Sequence, residues 1–136
     1  MVANVSPIFL LTPIMTWGSL TAANTAMDGT GTVLTVFTAD AVNGGYLERI
    51  RFRPLGTNAA SLARIFLNNG LTNVTVANNS LIDDILLPVS TLSQTAQQLG
   101  VDWFLNRQIP VGYKLNVTLA TAVAAGWQMS SMGGNY

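Results

Sequence analysis

The sequence predicts an all-β protein: a jelly-roll-like antiparallel β-sandwich of about eight strands with an extended N-terminal arm. Three observations favour this fold class. Turn-forming residues recur at short intervals, as they do around Asn43, Asn68 and Asn78. The runs between them are rich in Val, Ile, Thr, Phe and Leu, residues that strands favour. Several runs alternate apolar with polar residues, the pattern of a strand with one buried face.

Residues 113–119 form the clearest predicted strand. Leu115, Val117 and Leu119 fall on one side of an extended chain, and the residues between them are polar. This set is predicted to face inward, because side chains alternate along a strand. Residues 46–53 repeat the pattern, with Ile50 and Phe52 facing inward. The other predicted strands are residues 14–21, 32–38, 62–67, 81–87, 101–106 and 127–132.

Two segments have a different character. Residues 92–99 contain Ala and Gln and could form a short helix, with a long loop as the alternative. Residues 1–16 are predicted to be the extended arm, and residues 17–136 the single sandwich domain. Pro7 and Pro13 fit such an arm, because proline favours extended backbone and is disfavoured inside helices. We expect the arm to lie along a neighbouring subunit or another protein surface.

The chain is poor in charge. Its 136 residues are 49% hydrophobic and 9% charged, and six basic residues balance six acidic ones for a formal net charge of +0. Soluble domains have about 25% charged residues. A surface of this composition cannot be covered with charge, and a neutral protein lacks the repulsion that keeps molecules apart. The composition therefore predicts a component of an assembly, and we expect a homo-oligomer.

The absence of two residue types excludes several kinds of chemistry. The chain has no His and no Cys, so imidazole or thiolate metal sites, cysteine nucleophiles and His-based triads are ruled out. A serine nucleophile would need Lys114, the single lysine, as its base, and Lys114 is predicted to face outward in mid-strand. We therefore expect no enzymatic activity and no cofactor or bound metal.

Nucleic acid and membranes are also disfavoured as partners. Binding to phosphates requires clustered Lys and Arg, whereas the basic residues of this chain are few and balanced by acids. The apolar run at residues 8–11 ends at Thr12 and Pro13, far short of the roughly 20 residues that a spanning helix needs.

Asp83 and Asp84 resemble a catalytic carboxylate pair. Neighbours on a strand point to opposite faces, so the two carboxylates are not expected to share one site. A calcium site formed with Asn78 and Asn79 is a second possibility, since Ca²⁺ binds carboxylate and amide oxygens. Their spacing matches no known calcium loop.

The most distinctive polar feature is a row of three arginines. Arg49, Arg51 and Arg53 recur at period two and therefore share one sheet face. The first interpretation is a solvated face whose acids come from neighbouring strands, with Asp102 and Glu48 as candidates. The alternative is an electrostatic contact with an acidic partner or a neighbouring subunit.

Some strands are apolar on both sides. Leu62 and Phe66 flank Arg64 on the face opposite Ala63 and Ile65, which indicates burial on both faces or an interface. The residues that we predict to contact a neighbouring subunit or another protein surface are Ile8, Phe9, Leu10, Leu11, Trp17, Arg49, Arg51, Arg53, Leu62 and Phe66.

The three tryptophans raise the possibility of glycan binding, because sugars stack on exposed aromatic rings. Trp17, Trp103 and Trp127 are widely spaced along the chain. Trp103 alternates in phase with Val101 and Leu105, which predicts that its ring is internal.

Short stretches along the whole chain resemble a known family. They are TAANTAMDGTGT at residues 21–32, VFTA at 36–39, RIRF at 49–52, GTN at 56–58, NNG at 68–70, NNS at 78–80, IPVGYK at 109–114 and GGNY at 133–136. Each stretch is short, and their order and spacing make the resemblance specific. Together they resemble the capsid decoration, or cement, proteins of tailed bacteriophages and prophages.

The resemblance implies a β-sandwich that assembles as a homotrimer at symmetry axes of a phage head and has no catalytic activity. It also implies that the partner is the major capsid protein and that the location is the outer surface of the capsid in the virion. A head-fibre or tail adhesin module that binds host-surface glycans is the alternative.

Overall fold

The computed structural model describes residues 9–136, which form nine β-strands and one short 3-10 helix, Val76–Asn78, with no α-helix. The strands are β1 (Thr12–Ile14), β2 (Trp17–Leu20), β3 (Leu34–Thr38), β4 (Gly45–Pro54), β5 (Ser61–Asn68), β6 (Asn79–Leu87), β7 (Val101–Ile109), β8 (Lys114–Leu119) and β9 (Trp127–Asn135). The predicted all-β class is confirmed.

The strands form two antiparallel sheets. Sheet A has the order β1-β9-β4-β7, and β2 also pairs with β9. Sheet B has the order β3-β8-β5-β6. The chain passes from one sheet to the other at every connection from β2 to β9 except the one between β5 and β6. Apolar residues from both sheets form one core, so the protein is the predicted β-sandwich.

Alternation along the strands determines which side chains are buried in this core. Leu115, Val117 and Leu119 of β8, and Ile50 and Phe52 of β4, are fully buried, as their period-two pattern predicts. The other core residues are Val36, Phe37, Ala39, Leu47, Ala63, Ile65, Leu87, Trp103, Ile109, Val123, Trp127 and Met129.

The chain's own loop of residues 21–33 lies against part of the outer face of sheet B. The backbone N–H of Asn24 donates to the Leu119 carbonyl at 2.7 Å, and Arg64 Nη1 donates to the Asn24 carbonyl at 3.3 Å. Further along the loop, the Gly31 carbonyl accepts a hydrogen bond of 2.9 Å from Nδ2 of Asn73, which lies in the loop before β6. Residues 21–33 are thus bound to sheet B at Asn24 and to the neighbouring loop at Gly31.

The structure corrects the expectation for Phe66. The ring belongs to the outer face of sheet B, where it pairs with Asn116 of β8 and Leu81 of β6, yet none of it is exposed. Asn116 and Thr118, the predicted outward residues of β8, are also buried. Phe66 is therefore a packing residue within the chain and is not available to a partner.

Part of the predicted arm is built into sheet A. Residues 12–14, which the sequence assigns to the arm, are strand β1 and pair with β9, and the Leu11 N–H donates to the Asn135 carbonyl at 2.9 Å. Pro13 is tolerated because β1 is at the edge of the sheet, where a missing N–H need not break a ladder. The sandwich thus starts before residue 17.

Residues 92–99 are a loop, the second of the two expected conformations. Ser93 Oγ accepts hydrogen bonds from the backbone N–H groups of Thr95 and Ala96, at 3.2 and 2.9 Å. Gln98 Nε2 donates to the Thr91 carbonyl at 3.2 Å. Such local side-chain bonds compete with helical hydrogen bonds, so this Gln-rich segment stays irregular.

Candidate interaction surfaces

The outer face of sheet A remains exposed. Trp17 of β2 pairs with Ser130 of β9, Ser130 with Arg51 of β4, and Arg51 with Asp102 of β7. Directly paired residues share a face, so these side chains form one row across four strands. The row spans about 14 Å at the usual strand spacing. Trp17 is 70% exposed at one end of it.

A second row runs beside the first. It joins Met132, Arg49 and Phe104 across β9, β4 and β7. The Arg49 guanidinium carbon lies 5.8 Å from the centre of the Phe104 ring, within the range of a cation–π contact, and Arg49 Nε lies 3.0 Å from Met132 Sδ. Trp, Phe, Met and Arg are the residues that protein interfaces favour, so this face has an interface-like composition.

The predicted ionic partners of the arginine row are present. Asp102 lies 3.7 Å from Arg49 and 3.9 Å from Arg51, and Glu48 lies 4.0 Å from Arg49. The sequence interpretation of an acid supplied by a neighbouring strand is confirmed for Asp102 of β7, whereas Glu48 lies in β4 itself, next to Arg49. Surface pairs of this kind stabilise a fold by at most about 1 kcal/mol, so their main effect is to orient the guanidinium groups.

Arg53 differs from the other two members of the row. It is half-buried, and its aliphatic stem lies against Gly100. Within residues 9–136 it makes no ion pair. The row of three cations thus meets two carboxylates, and the face retains positive charge.

One end of the sandwich is apolar. Phe9 and Leu11 line a cleft of roughly 730 Å³ together with Ile109, Val111 and Tyr136. Phe9, Leu11 and Val111 are 71%, 78% and 50% exposed. Val42, in the turn next to the cleft, is 79% exposed. We call Phe9, Leu11, Val42 and Val111 the apolar end.

The other two predicted contact residues of the arm are not part of the apolar end. Leu10 points to a different surface, a shallow cleft that it shares with Tyr46 and Met132 on the outer face of sheet A. Ile8 lies outside the described residues. The prediction that the arm contacts another molecule therefore remains a prediction, with Phe9 and Leu11 in a position to do so.

Strand β6 is a long, exposed edge. It pairs only with β5, and Leu81, Ile82 and Leu86 are exposed along it. Leu62 of β5, also exposed, pairs with Leu86 on the same face. Edge strands with free backbone groups and exposed apolar side chains are prone to pair with other chains.

The two carboxylates of β6 point to opposite faces, as predicted. Asp83 pairs with Ile65 on the inner face and Asp84 pairs with Arg64 on the outer face. Asp83 Oδ2 accepts a hydrogen bond of 2.7 Å from Trp103 Nε1 of β7 and so links the two sheets. The two acids cannot act as one catalytic pair.

The oxygens proposed for calcium are engaged elsewhere. Asn78 Oδ1 accepts from Asn69 Nδ2 at 3.0 Å, and Asn79 Oδ1 accepts from Asn68 Nδ2 at 2.8 Å. Among residues 9–136 there is no group of three or more acidic residues placed to hold a metal ion. The Asn-rich motifs instead form a network that fixes the loop before β6.

Of the three tryptophans, only Trp17 is available for stacking. Trp103 is 8% exposed, which confirms its predicted internal position, and Trp127 is fully buried. A glycan platform built from all three rings is therefore excluded.

A buried amide that the sequence does not reveal as special joins three loops. Asn58 is 1% exposed, and its Nδ2 donates to the Gly126 carbonyl at 2.9 Å and to Ser90 Oγ at 3.3 Å. Its Oδ1 accepts from the N–H groups of Ala125 and Gly126, at 2.8 and 2.9 Å. The GTN motif at residues 56–58 thus has a structural role.

Two turn carboxylates have perturbed acidities. Hydrogen bonds from the Thr30 hydroxyl and then its backbone N–H lower the pKa of Asp28. The N–H of Asn43, followed by that of Val42, lowers the pKa of Asp40. Asp40 thereby holds the turn that presents Val42 at the apolar end.

Comparisons with protein family models, with curated proteins and with solved structures found no match. The described part of the chain has no helix of the length and apolar character needed to cross a membrane.

Two parts of these surfaces were not among the contact residues predicted from the sequence. Phe104 lies out of phase with the core residues of β7, and this phase is the signal that its ring points outward. Val42 and Val111 are apolar residues inside turn motifs, where an exposed valine is unexpected. Both signals are visible in the sequence once the strands have been assigned.

Proposed function

We propose that the protein is a non-enzymatic structural component of a virus particle: a decoration, or cement, protein on the outer surface of a tailed-phage head. It acts as a homotrimer that binds the major capsid protein and bridges neighbouring capsomers. The proposal joins the sequence resemblance to the low charge of the chain and its exposed apolar surfaces.

The strand order supports a jelly-roll topology for this body. Sheet A in the order β1/β2-β9-β4-β7 and sheet B in the order β3-β8-β5-β6 each combine strands from both halves of the chain. Two sheets, each with four strands side by side and joined by connections that cross the sandwich, are typical of jelly rolls. Jelly rolls occur in viral capsid and lectin domains.

The observation on which the proposal mainly rests is the apolar end. Three large apolar side chains, each at least half exposed, line one cleft, and the exposed side chain of Val42 lies in the turn beside it. Contiguous apolar patches on a soluble chain mark sites of protein contact. We assign this end to the capsid shell, because the uncharged arm leads directly into it at Phe9.

The mechanism is mechanical. A subunit docked across a joint between capsomers adds contact area that must be broken before the joint opens. An interface of about 800 Å² per partner is enough for stable binding when it is well packed. Many copies would then raise the pressure and the temperature at which the head ruptures.

The test measures how strongly the protein and two of its valine variants bind to isolated phage heads that lack the protein. Val42 at the apolar end is 79% exposed and Val74, in the loop before β6, is 75% exposed. Wild-type protein is expected to bind saturably and to raise the rupture temperature. Val42→Ser should weaken binding about tenfold, because burying a valine contributes about 1.5 kcal/mol or more, and Val74→Ser should bind like wild type.

Equal binding of the two valine variants would reject the apolar end as the contact. Heads that show no saturable binding of wild-type protein would reject the decoration role itself.

The alternative is a head-fibre or tail adhesin module that binds host glycans. The exposure of Trp17 favours it, since this ring is free to stack on a sugar. Glycan binding that is lost on Trp17→Ala, together with heads that are equally robust without the protein but adsorb poorly to cells, would support this alternative.

A further inference from the structure

We propose that copies of this chain associate head to tail, with the β6 edge of one copy docked on the outer face of sheet A of the next. The inference rests on the proposed function in taking a sister subunit as the partner. It adds which two surfaces meet and why they meet in that combination.

The two surfaces have opposite charge. The outer face of sheet A has three arginines against two carboxylates, and Arg53 makes no ion pair within residues 9–136. The β6 edge exposes Asp83 and Asp84, and Asp84 likewise makes no ion pair there. Its cross-strand neighbour Arg64 donates to the Asn24 carbonyl instead. Opposite potentials of this kind select partner and register.

The apolar parts of the two surfaces supply the contact area. Leu81, Ile82 and Leu86 are exposed on either side of the two acids of β6. Trp17 and Phe104 are exposed at opposite edges of the arginine face. Aromatic and arginine side chains are enriched among the residues that contribute most to the binding energy of interfaces.

Symmetric pairing of either surface with itself is disfavoured. Two β6 edges in antiparallel contact would bring four carboxylates together, and like charges placed opposite each other on neighbouring strands repel. Two sheet A faces in contact would oppose their arginine rows. The remaining combination joins different surfaces, and such contacts generate closed rings or open chains. A trimeric ring satisfies both surfaces of every copy.

The test is a charge swap, read by sedimentation equilibrium of the full chain over a range of concentrations. Arg53→Glu and Asp84→Lys are each expected to weaken self-association about tenfold, which corresponds to about 1.4 kcal/mol. The double variant, with net charge equal to wild type, should return to within about threefold of it, because the swapped charges again attract. Asp83 is left intact, since it binds Trp103.

A matched control separates contact from overall charge. Lys114→Glu combined with Asp84→Lys also restores the net charge, but Lys114 lies in sheet B and should give no rescue. The milder Arg53→Gln and Asp84→Asn serve if a reversal prevents folding, which circular dichroism reports. Each of these should weaken association by an intermediate factor.

Three results would overturn the inference. One is a wild-type chain that sediments as a single chain at every concentration, a result that leaves shell binding to be judged by its own assay. Another is rescue by the Lys114 control, which would make the effect one of net charge. The third is loss of shell binding by Arg53→Glu with unchanged self-association, which would assign the arginine face to the shell.

Discussion

Replacing Asn58 by alanine should destabilise the fold far more than its place in a short loop motif suggests. The change removes the acceptor of the Gly126 and Ala125 N–H groups and the donor to the Gly126 carbonyl. A buried polar group left without a partner costs about 1–3 kcal/mol. Gly126 is buried and Ala125 is only partly so, which leads to an expected loss of about 2–4 kcal/mol in the free energy of unfolding.

The measurement is urea unfolding followed by tryptophan fluorescence, because Trp127 adjoins the lost hydrogen bonds. With a slope of about 2 kcal/mol per molar urea, the midpoint should fall by about 1–2 M. Asn69→Ala is the control. Asn69 also bonds through both ends of its amide, to Leu71 N–H and to Asn78 Oδ1, but it is partly exposed. Water can replace those bonds, so Asn69→Ala should lower the free energy of unfolding by less than about 1 kcal/mol.

Equal shifts of the urea midpoint for Asn58→Ala and Asn69→Ala would contradict this expectation. The same holds if Asn58→Ala lowers the free energy of unfolding by less than about 1 kcal/mol, because the buried amide would then have no special role.

Three further predictions follow from burial and acidity. Phe66→Ala should lower the free energy of unfolding by about 3–5 kcal/mol, whereas Leu62→Ala on the same strand face should lower it by less than about 1 kcal/mol. Equal losses would contradict the burial of Phe66 on the outer face of sheet B. The lowered pKa of Asp40 means that its turn is stabilised above about pH 4 and loses this contribution as the pH falls through the folded-state pKa. The protection factors of the Val42 and Asn43 amides, which are corrected for the intrinsic exchange rate at each pH, should therefore fall in acid for wild type and not for Asp40→Asn. Trp17→Phe should remove the fluorescence that acrylamide quenches and leave the signal of the two buried indoles, a result that a protected Trp17 would not give.

Local pattern was enough to predict much of the fold. Strands β4 and β8 alternate in a way that depends only on neighbouring residues, so the inward set of Ile50 and Leu115 followed directly from the sequence. These inward sets require no more than a period-two pattern, which is read within a few residues. Asp102 was named as a candidate partner of the arginine row, but the pairing of β7 with β4 that brings it there joins segments about fifty residues apart.

Features that depend on distant segments could not be predicted. Nothing near Phe66 in sequence indicates that its ring is covered, because residues 21–33 reach the outer face of sheet B only through the tertiary fold. Strand β1 was assigned to the arm because three residues with a proline have no alternation, and its partner β9 lies more than a hundred residues away. Asn58 is defined by its contacts with Ser90 and Gly126.

The position of β9 has a consequence for how the protein is made. This strand follows all the others along the chain, yet it lies inside sheet A with β4 on one side and β1 and β2 on the other. During synthesis the edges of β1, β2 and β4 that pair with β9 remain unpaired until β9 has left the ribosome. Structures dominated by such distant pairings fold slowly, in milliseconds to seconds. Crowded nascent chains with exposed strand edges are prone to stick together, so the yield of native protein should depend on temperature and expression rate more steeply than its final stability suggests.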